Sequence, residues 1–257
     1  MTFLQFVLLF FAAVLGGALN SVAGGGSFIT FPSLIFAGTG AIKANATSTV
    51  ALWPASVASA SAYRKELALV NRLLLLVLVG VSIVGGVLGA ILLLRTAQST
   101  FVHLIPYLLL LATLLFAVSG PITSRLRKRV EATQKTHLTW LKLIGISLVQ
   151  LVVATYGGYF GGGIGIMMLA SLAFLGMENI HEMNALKTVL QASINGVAVI
   201  TFIVAGAVVW LQAIIMILGG IAGGFAGAYY ARKLDQRLVR AFVILVGISL
   251  TIYFFLK

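Results

Sequence analysis

The stretch LNSVAGGGSFITFP, residues 19 to 32, breaks an apolar run that otherwise extends from Thr2 onward. Gly24, Gly25 and Gly26 are costly to order into a helix, and Pro32 lacks a donor N–H. Asn20, Ser21 and Ser27 bring polar side chains into the same window. The surroundings make this unusual. Of the 257 residues, 61% are hydrophobic and 9% charged, and the mean hydropathy of +1.13 lies outside the range of soluble globular chains. Segments of about 20 apolar residues, enough to cross a hydrocarbon core of roughly 30 Å, recur from end to end. The composition predicts an all-α polytopic membrane protein with a deliberate weakness early in the chain.

Apolar segments fall at 3–22, 27–38, 45–63, 71–94 and 102–119, and again at 141–160, 164–176, 184–206, 209–230 and 238–256. Between the two groups lies PITSRLRKRVEATQKTHLTW, residues 121 to 140, a basic linker carrying Arg125, Arg127, Lys128, Arg129 and Lys135. The groups resemble each other. AGGGSFITFPSLIFAG (23–38) lies over GGGIGIMMLASLAFLG (161–176), KANATST (43–49) over EMNALKT (182–188), and GGVLGA (85–90) over GGFAGA (223–228). Three matches in one order at a nearly constant offset predict a duplicated five-segment unit, with repeats at 1–120 and 141–257.

Charge predicts how the repeats are oriented. Arg64, Lys65 and Arg72 lie between segments three and four of the first half, whereas the equivalent AGAVVW (205–210) is uncharged. Between segments four and five the bias reverses, with Arg95 alone in the first half but Arg232, Lys233, Arg237 and Arg240 in the second. If basic connections are cytoplasmic, each half crosses an odd number of times and the repeat is inverted. The linker is then cytoplasmic and both termini lie on the periplasmic or extracellular side. Segments 27–38 and 164–176 are short for a full crossing at 1.5 Å per residue, so they are expected to be half-membrane helices near the midplane.

A helix that restarts after a glycine break offers N–H groups and a partial positive charge, which suit an anion. The candidate substrate-binding residues are therefore Asn20, Ser21, Gly24, Gly25, Gly26 and Ser27 in the first half, with Gly161, Gly162 and Gly163 in the second. A further cluster comprises Asn45 and Thr49 against Asn184, Lys187, Thr188 and Gln191. Lys187 is the sharpest signal, because a lysine inside an apolar helix either snorkels or serves as a counter-charge. The alternatives are that the glycines only permit close packing and that Asn45 and Asn184 are N-caps. The small-residue spacings Gly85 with Gly89 and Gly223 with Gly227 are read as packing faces, and they also suit a homodimer.

Several classes are excluded or disfavoured. The chain has no cysteine, so thiolate metal sites and thiol catalysis are absent, and the three histidines lack metal-site spacing. No G-x-x-x-x-G-K-[ST] phosphate loop occurs, and the triple glycine does not fit a dinucleotide fingerprint, so no cofactor is expected. The net charge of +12 is carried by segment ends rather than by a basic stripe with stacking aromatics, which argues against nucleic acid. Glu66, Glu131, Glu178, Glu182 and Asp235 sit in connections or at segment edges, so no intramembrane carboxylate relay is expected. Ser27 and Ser48 lack a plausible general base, so the chain is not read as an enzyme.

With Asn20 to Gly26, Pro32, the run Asn45 to Thr49, GGGIG at 161–165 and NALKT at 184–188, the sequence resembles the TauE/SafE family of sulfite-exporter-type membrane transporters. The resemblance spans essentially the whole chain. It implies export of sulfite, sulfoacetate or related organosulfur anions across the bacterial cytoplasmic (inner) membrane, in contact with lipid and with no nucleic-acid partner. Distant kin that take up thiosulfate use cysteines, which this chain lacks. The expected mechanism is a secondary transporter with alternating access, the anion being held at two opposed helix N-termini. The alternative is an anion or small-solute channel that never occludes.

Overall fold

The computed structural model of the protein describes residues 2–23, 25–130, 140–174, 177, 179–230 and 236–256. Among these the chain is all-helical, in the order α1 (Phe3–Ala23), α2 (Ser27–Phe36), α3 (Ala41–Ala62), α4 (Arg64–Leu67), α5 (Arg72–Arg95) and α6 (Gln98–Val130). These are followed by α7 (Trp140–Tyr159), α8 (Ile164–Phe174), α9 (Ile180–Val204), α10 (Trp210–Tyr230) and α11 (Gln236–Leu256). Each predicted apolar segment coincides with a helix. The short α4 was not foreseen, and α6 continues through Val130 into the stretch read as linker, of which 131–139 lie outside the described residues.

Local chemistry explains several helix starts. Thr2 and Gln5 form a reciprocal capping box, Thr2 N–H donating to Gln5 Oε1 (2.9 Å) and Gln5 N–H to Thr2 Oγ1 (3.3 Å). Asn71 caps α5, its Oδ1 accepting from the amides of Leu73 (2.9 Å) and Leu74 (3.2 Å). α3 starts four residues earlier than Asn45, with Gly40 as its N-cap, and α9 starts at Ile180. Asn45 and Asn184 therefore lie a turn inside their helices and cap neither.

Among the described residues, four helices contain stretches long and apolar enough to cross a membrane: Phe3–Asn20, Arg72–Arg95, Gln98–Leu115 and Glu182–Val204. Burial runs opposite to that of a soluble protein. Phe3, Leu141, Val204 and Phe225 are more than four-fifths exposed, whereas Asn45, Thr47, Ser48, Gln150, Gln191 and Asn195 are buried. An apolar exterior around polar interior side chains is what a lipid solvent selects.

Packing directions follow from the contacts. Phe10 meets Gly219 and Val14 meets Gly223, so α1 and α10 run parallel. Ser82 meets Gln150, Gly85 meets Ala154 and Gly89 meets Tyr159, so α5 and α7 also run parallel. α3 runs parallel to α10, through Ala51 on Gly220 and Ala55 near Gly224, but antiparallel to α9, with Trp53 at Ala192 and Val50 beside Val199. α6 and α11 are antiparallel, with Thr113 at Gly247 and Tyr107 on Phe255. α2 folds back along α1, as shown by Gly26 beside Asn20, Thr30 beside Gly16, and Gln5 Nε2 donating to the Ala37 carbonyl (3.1 Å).

Candidate functional site

The first break is built from α1, α2 and α3. Gly25 and Gly26 are buried; the amide of Phe28 donates to Gly25 O (3.1 Å), and those of Ile29 (3.1 Å) and Thr30 (3.2 Å) to Gly26 O. A side chain at Gly26 would collide with the Gly16 carbonyl, so only glycine lets α2 start this close to α1. Asn20 donates from Nδ2 to Ser56 Oγ (3.3 Å), and Ser56 donates in turn to Leu52 O (3.3 Å). Deeper in, the hydroxyls of Thr30 and Ser48 share a hydrogen bond of 2.6 Å. Ser27 is the half-buried first residue of α2. Ser21 lies in the last turn of α1 with its side chain undescribed, and Gly24 lies outside the described residues.

The second break is tighter. After α7 the backbone passes through Gly161 (φ +80°) and Gly163 (φ +78°), a left-handed conformation that glycine tolerates, before α8 starts at Ile164. Ile166 and Met167 donate to Gly163 O (3.1 and 3.3 Å), with the amides of Ile164 and Gly165 leading the helix. Tyr156 fixes the break from one side, its hydroxyl donating to Gly162 O (2.9 Å).

α9 faces this helix start. The stem of half-buried Lys187 runs beside Gly165, with Cδ and Cε at 3.5 and 4.0 Å from the position a Cβ there would take, and Gln191 Oε1 approaches the same point at 3.5 Å. Lys187 forms no ion pair with either described acid. Glu182 accepts from Asn179 (3.0 Å), and Glu66 on α4 keeps a buried Oε2 without a partner. Thr188 donates back to Ala185 O (2.8 Å), and Asn184 sits half-buried one turn before it.

The structure thus brings Gly165, two residues past Gly163, together with Lys187 and Gln191, and Gly26 together with Asn20, whereas Gly161, Gly162 and Gly163 are packed against Gly157, Phe160 and Ala112. Asn45 takes another position: its Nδ2 donates to Tyr159 O (2.9 Å) at the end of α7, while Thr49 donates to Asn45 O (2.9 Å). Aromatic contacts link the two breaks, Phe31 of α2 packing edge-on against Phe160, which directly precedes Gly161 (5.6 Å between centroids). The sequence reading missed Ser56, Tyr156 and Asn195. The repeat offset that pairs Asn45 with Asn184 also pairs Ser56 with Asn195, so two of these were within its reach.

A family model described as "Sulfite exporter TauE/SafE" matches residues 9–254. Probable membrane transporter protein YfcA of Escherichia coli K12 is 26% identical over 246 residues, covering 93% of this chain and 86% of that protein. A probable membrane transporter protein of Haemophilus influenzae is 26% identical over 245 residues (95% and 92% covered). The probable membrane transporter protein ORF9 of a Sinorhizobium species is 27% identical over 245 residues (95% and 90% covered). No solved structure matches the chain significantly.

Proposed function

We propose that this chain, which belongs to the sulfite exporter TauE/SafE family, moves small sulfur oxyanions or organosulfonates out across the cytoplasmic membrane by alternating access. That it is a membrane transporter follows from the family and its relatives. The substrate class is supported by one observation above all: a lysine stem and a buried amide lie against the N-terminus of α8, directly after a glycine break. A helix N-terminus favours an anion by the partial charge of its free N–H groups, and a low-dielectric setting strengthens the added lysine charge. Neutralisation of one anionic charge relieves the cost of bringing Lys187 into an apolar helix.

The inverted repeat is supported by helix direction. α1 runs with α10, α5 with α7, and α3 against α9, the pairings required if the second half is the first turned over in the membrane. The return of α2 along α1 makes the pair a re-entrant hairpin, so three full crossings per half carry the chain to the opposite side. Basic connections at 64–72, 121–140 and 231–240 then share the cytoplasmic face, with both termini outside.

An exported anion needs no coupling ion, because a membrane potential negative inside is worth about 2.3 kcal/mol per charge per 100 mV. The test is flux of labelled sulfite in proteoliposomes, with counterflow. A carrier shows trans-stimulation by unlabelled sulfite, a channel shows none, and Lys187→Ala lowers the flux at least tenfold. Flux through Lys187→Ala at the wild-type level removes the lysine from the site.

A further inference from the structure

The polar groups of α9 are spaced as a stripe. Asn184, Thr188, Gln191 and Asn195 follow one another at intervals of four, three and four residues, which keeps them on one face of a helix. The equivalent residues of α3, at the same offset of the repeat, are Asn45, Thr49, Leu52 and Ser56.

The two stripes differ in how they are satisfied. On α3, Asn45 holds the Tyr159 carbonyl, Thr49 bonds to Asn45 O, and Ser56 both accepts from Asn20 and donates to Leu52 O. On α9, Gln191 and Asn195 are only 7% and 8% exposed, and neither forms a hydrogen bond with a described residue. Among the described residues only Glu66 Oε2 is a fully buried side-chain polar atom without a partner, so the amide atoms of Gln191 and Asn195, unpartnered as they are, stay open to water or a ligand instead of being sealed in the core. Gln191 points its Oε1 at the α8 start, beside the Lys187 stem. The height of Asn195 is fixed by the next residue, because Gly196 lies against the Trp53 indole, whose Nε1 donates to Ala192 O (3.1 Å). The helix cannot easily rotate or slide to hide the amide.

We propose that Asn195 is a further ligand of the transported anion, holding with Gln191 the side of it that faces away from Lys187 through neutral hydrogen bonds. The site is therefore carried mainly by the second half. This rests on the anion-transport reading above and adds the residue that sets how the anion's uncharged side is gripped. Lys187 supplies attraction to any anion, whereas a pair of amides rewards an anion with oxygens at the correct reach.

The test uses full-length protein, with sulfite as the probe. Asn195→Leu keeps the side chain's approximate size and removes the unpaired amide. It is expected to leave the ligand-free melting temperature unchanged or raised, while the half-saturating sulfite concentration rises at least fivefold. Asn195→Ala should raise the half-saturating concentration likewise, and Asn195→Gln should restore part of the affinity. A lowered melting temperature for Asn195→Leu, or failure to fold, overturns the proposal, because that is the response of an amide with a structural partner. An unchanged half-saturating concentration overturns it as well. If Lys187→Ala transports normally while Asn195→Leu does not, the lysine assignment falls and this one stands; if the reverse holds, Asn195 falls alone.

Discussion

Asn45 Nδ2 donates to the carbonyl oxygen of Tyr159 at 2.9 Å, joining the third helix of the first half to the end of the first helix of the second. Both groups are buried, and Tyr159 O belongs to the last turn before a glycine break, where helical carbonyls lack intrahelical donors. Replacement by leucine strands that carbonyl, and a buried unsatisfied acceptor costs about 1–3 kcal/mol. Asn45→Leu is expected to lower stability by that amount in a denaturant titration in mild detergent. An unchanged transition would mean that another donor reaches Tyr159 O.

Close approach of helix backbones gives a second prediction. A Cβ on Gly223 of α10 would overlap the Val14 carbonyl of α1, and backbone cannot yield as a flexible side chain can. Gly80 of α5 has nothing within 4 Å of the same position. Gly223→Ala should therefore lower the melting temperature markedly, whereas Gly80→Ala should be neutral or gain about 0.5–1 kcal/mol from helix propensity. Paired thermal melts of the two variants decide the matter, and equal effects would contradict the observed packing.

The contrast between those glycines also shows what the sequence could and could not reveal. Hydropathy placed the long helices within a few residues, apart from the end of α6, which continues to Val130 where the apolar segment was read as ending at 119; lipid imposes a length and an apolar surface that composition records directly, but it leaves no mark on a helix that continues past the bilayer. Glycine punctuation located both breaks. It could not distinguish Gly80 from Gly223, since whether a glycine touches another backbone depends on a helix distant in sequence. Asn45 was legible as a polar residue in an apolar segment, but its partner Tyr159 is 114 residues away and offers only a backbone carbonyl, which leaves no mark on side-chain composition. Lys187 was visible as a charge. Its neighbour Gly165, where even an added methyl group would only touch the lysine stem, carried no signal of its own.

Tyr156 extends the argument to the second break. Its hydroxyl donates to Gly162 O (2.9 Å), and the residues on either side, Gly161 and Gly163, are both left-handed. Nothing else described holds that carbonyl in place, so the direction of the neighbouring amides depends on this bond. Tyr156→Phe keeps the ring and its edge contact with Phe160 but frees the carbonyl. The expected loss of stability is about 0.5–1.5 kcal/mol, the net worth of one hydrogen bond. On the anion-site reading, the half-saturating sulfite concentration should also rise severalfold. A stability loss without any change in affinity would separate the break from the site.

Thr39 and Gln212 provide a test of motion. Thr39 Oγ1 donates to Gln212 Oε1 (2.8 Å), tying the turn between α2 and α3 to the start of α10, and the Val209 amide donates to Thr47 Oγ1 (3.1 Å) close by. These bonds bridge the two halves at the end of the molecule opposite Arg64 and Lys65, which is the outer end in the orientation proposed above. In alternating access the halves separate at each face in turn, so this face must open once per cycle. The chain has no cysteine, so Thr39→Cys with Gln212→Cys introduces the sole reactive pair. Joining the two thiols with a short bifunctional reagent should stop sulfite flux, and a cleavable version of the reagent should restore it on reduction. A channel has no such requirement, and full flux through the cross-linked protein would exclude rocking of the halves about this contact.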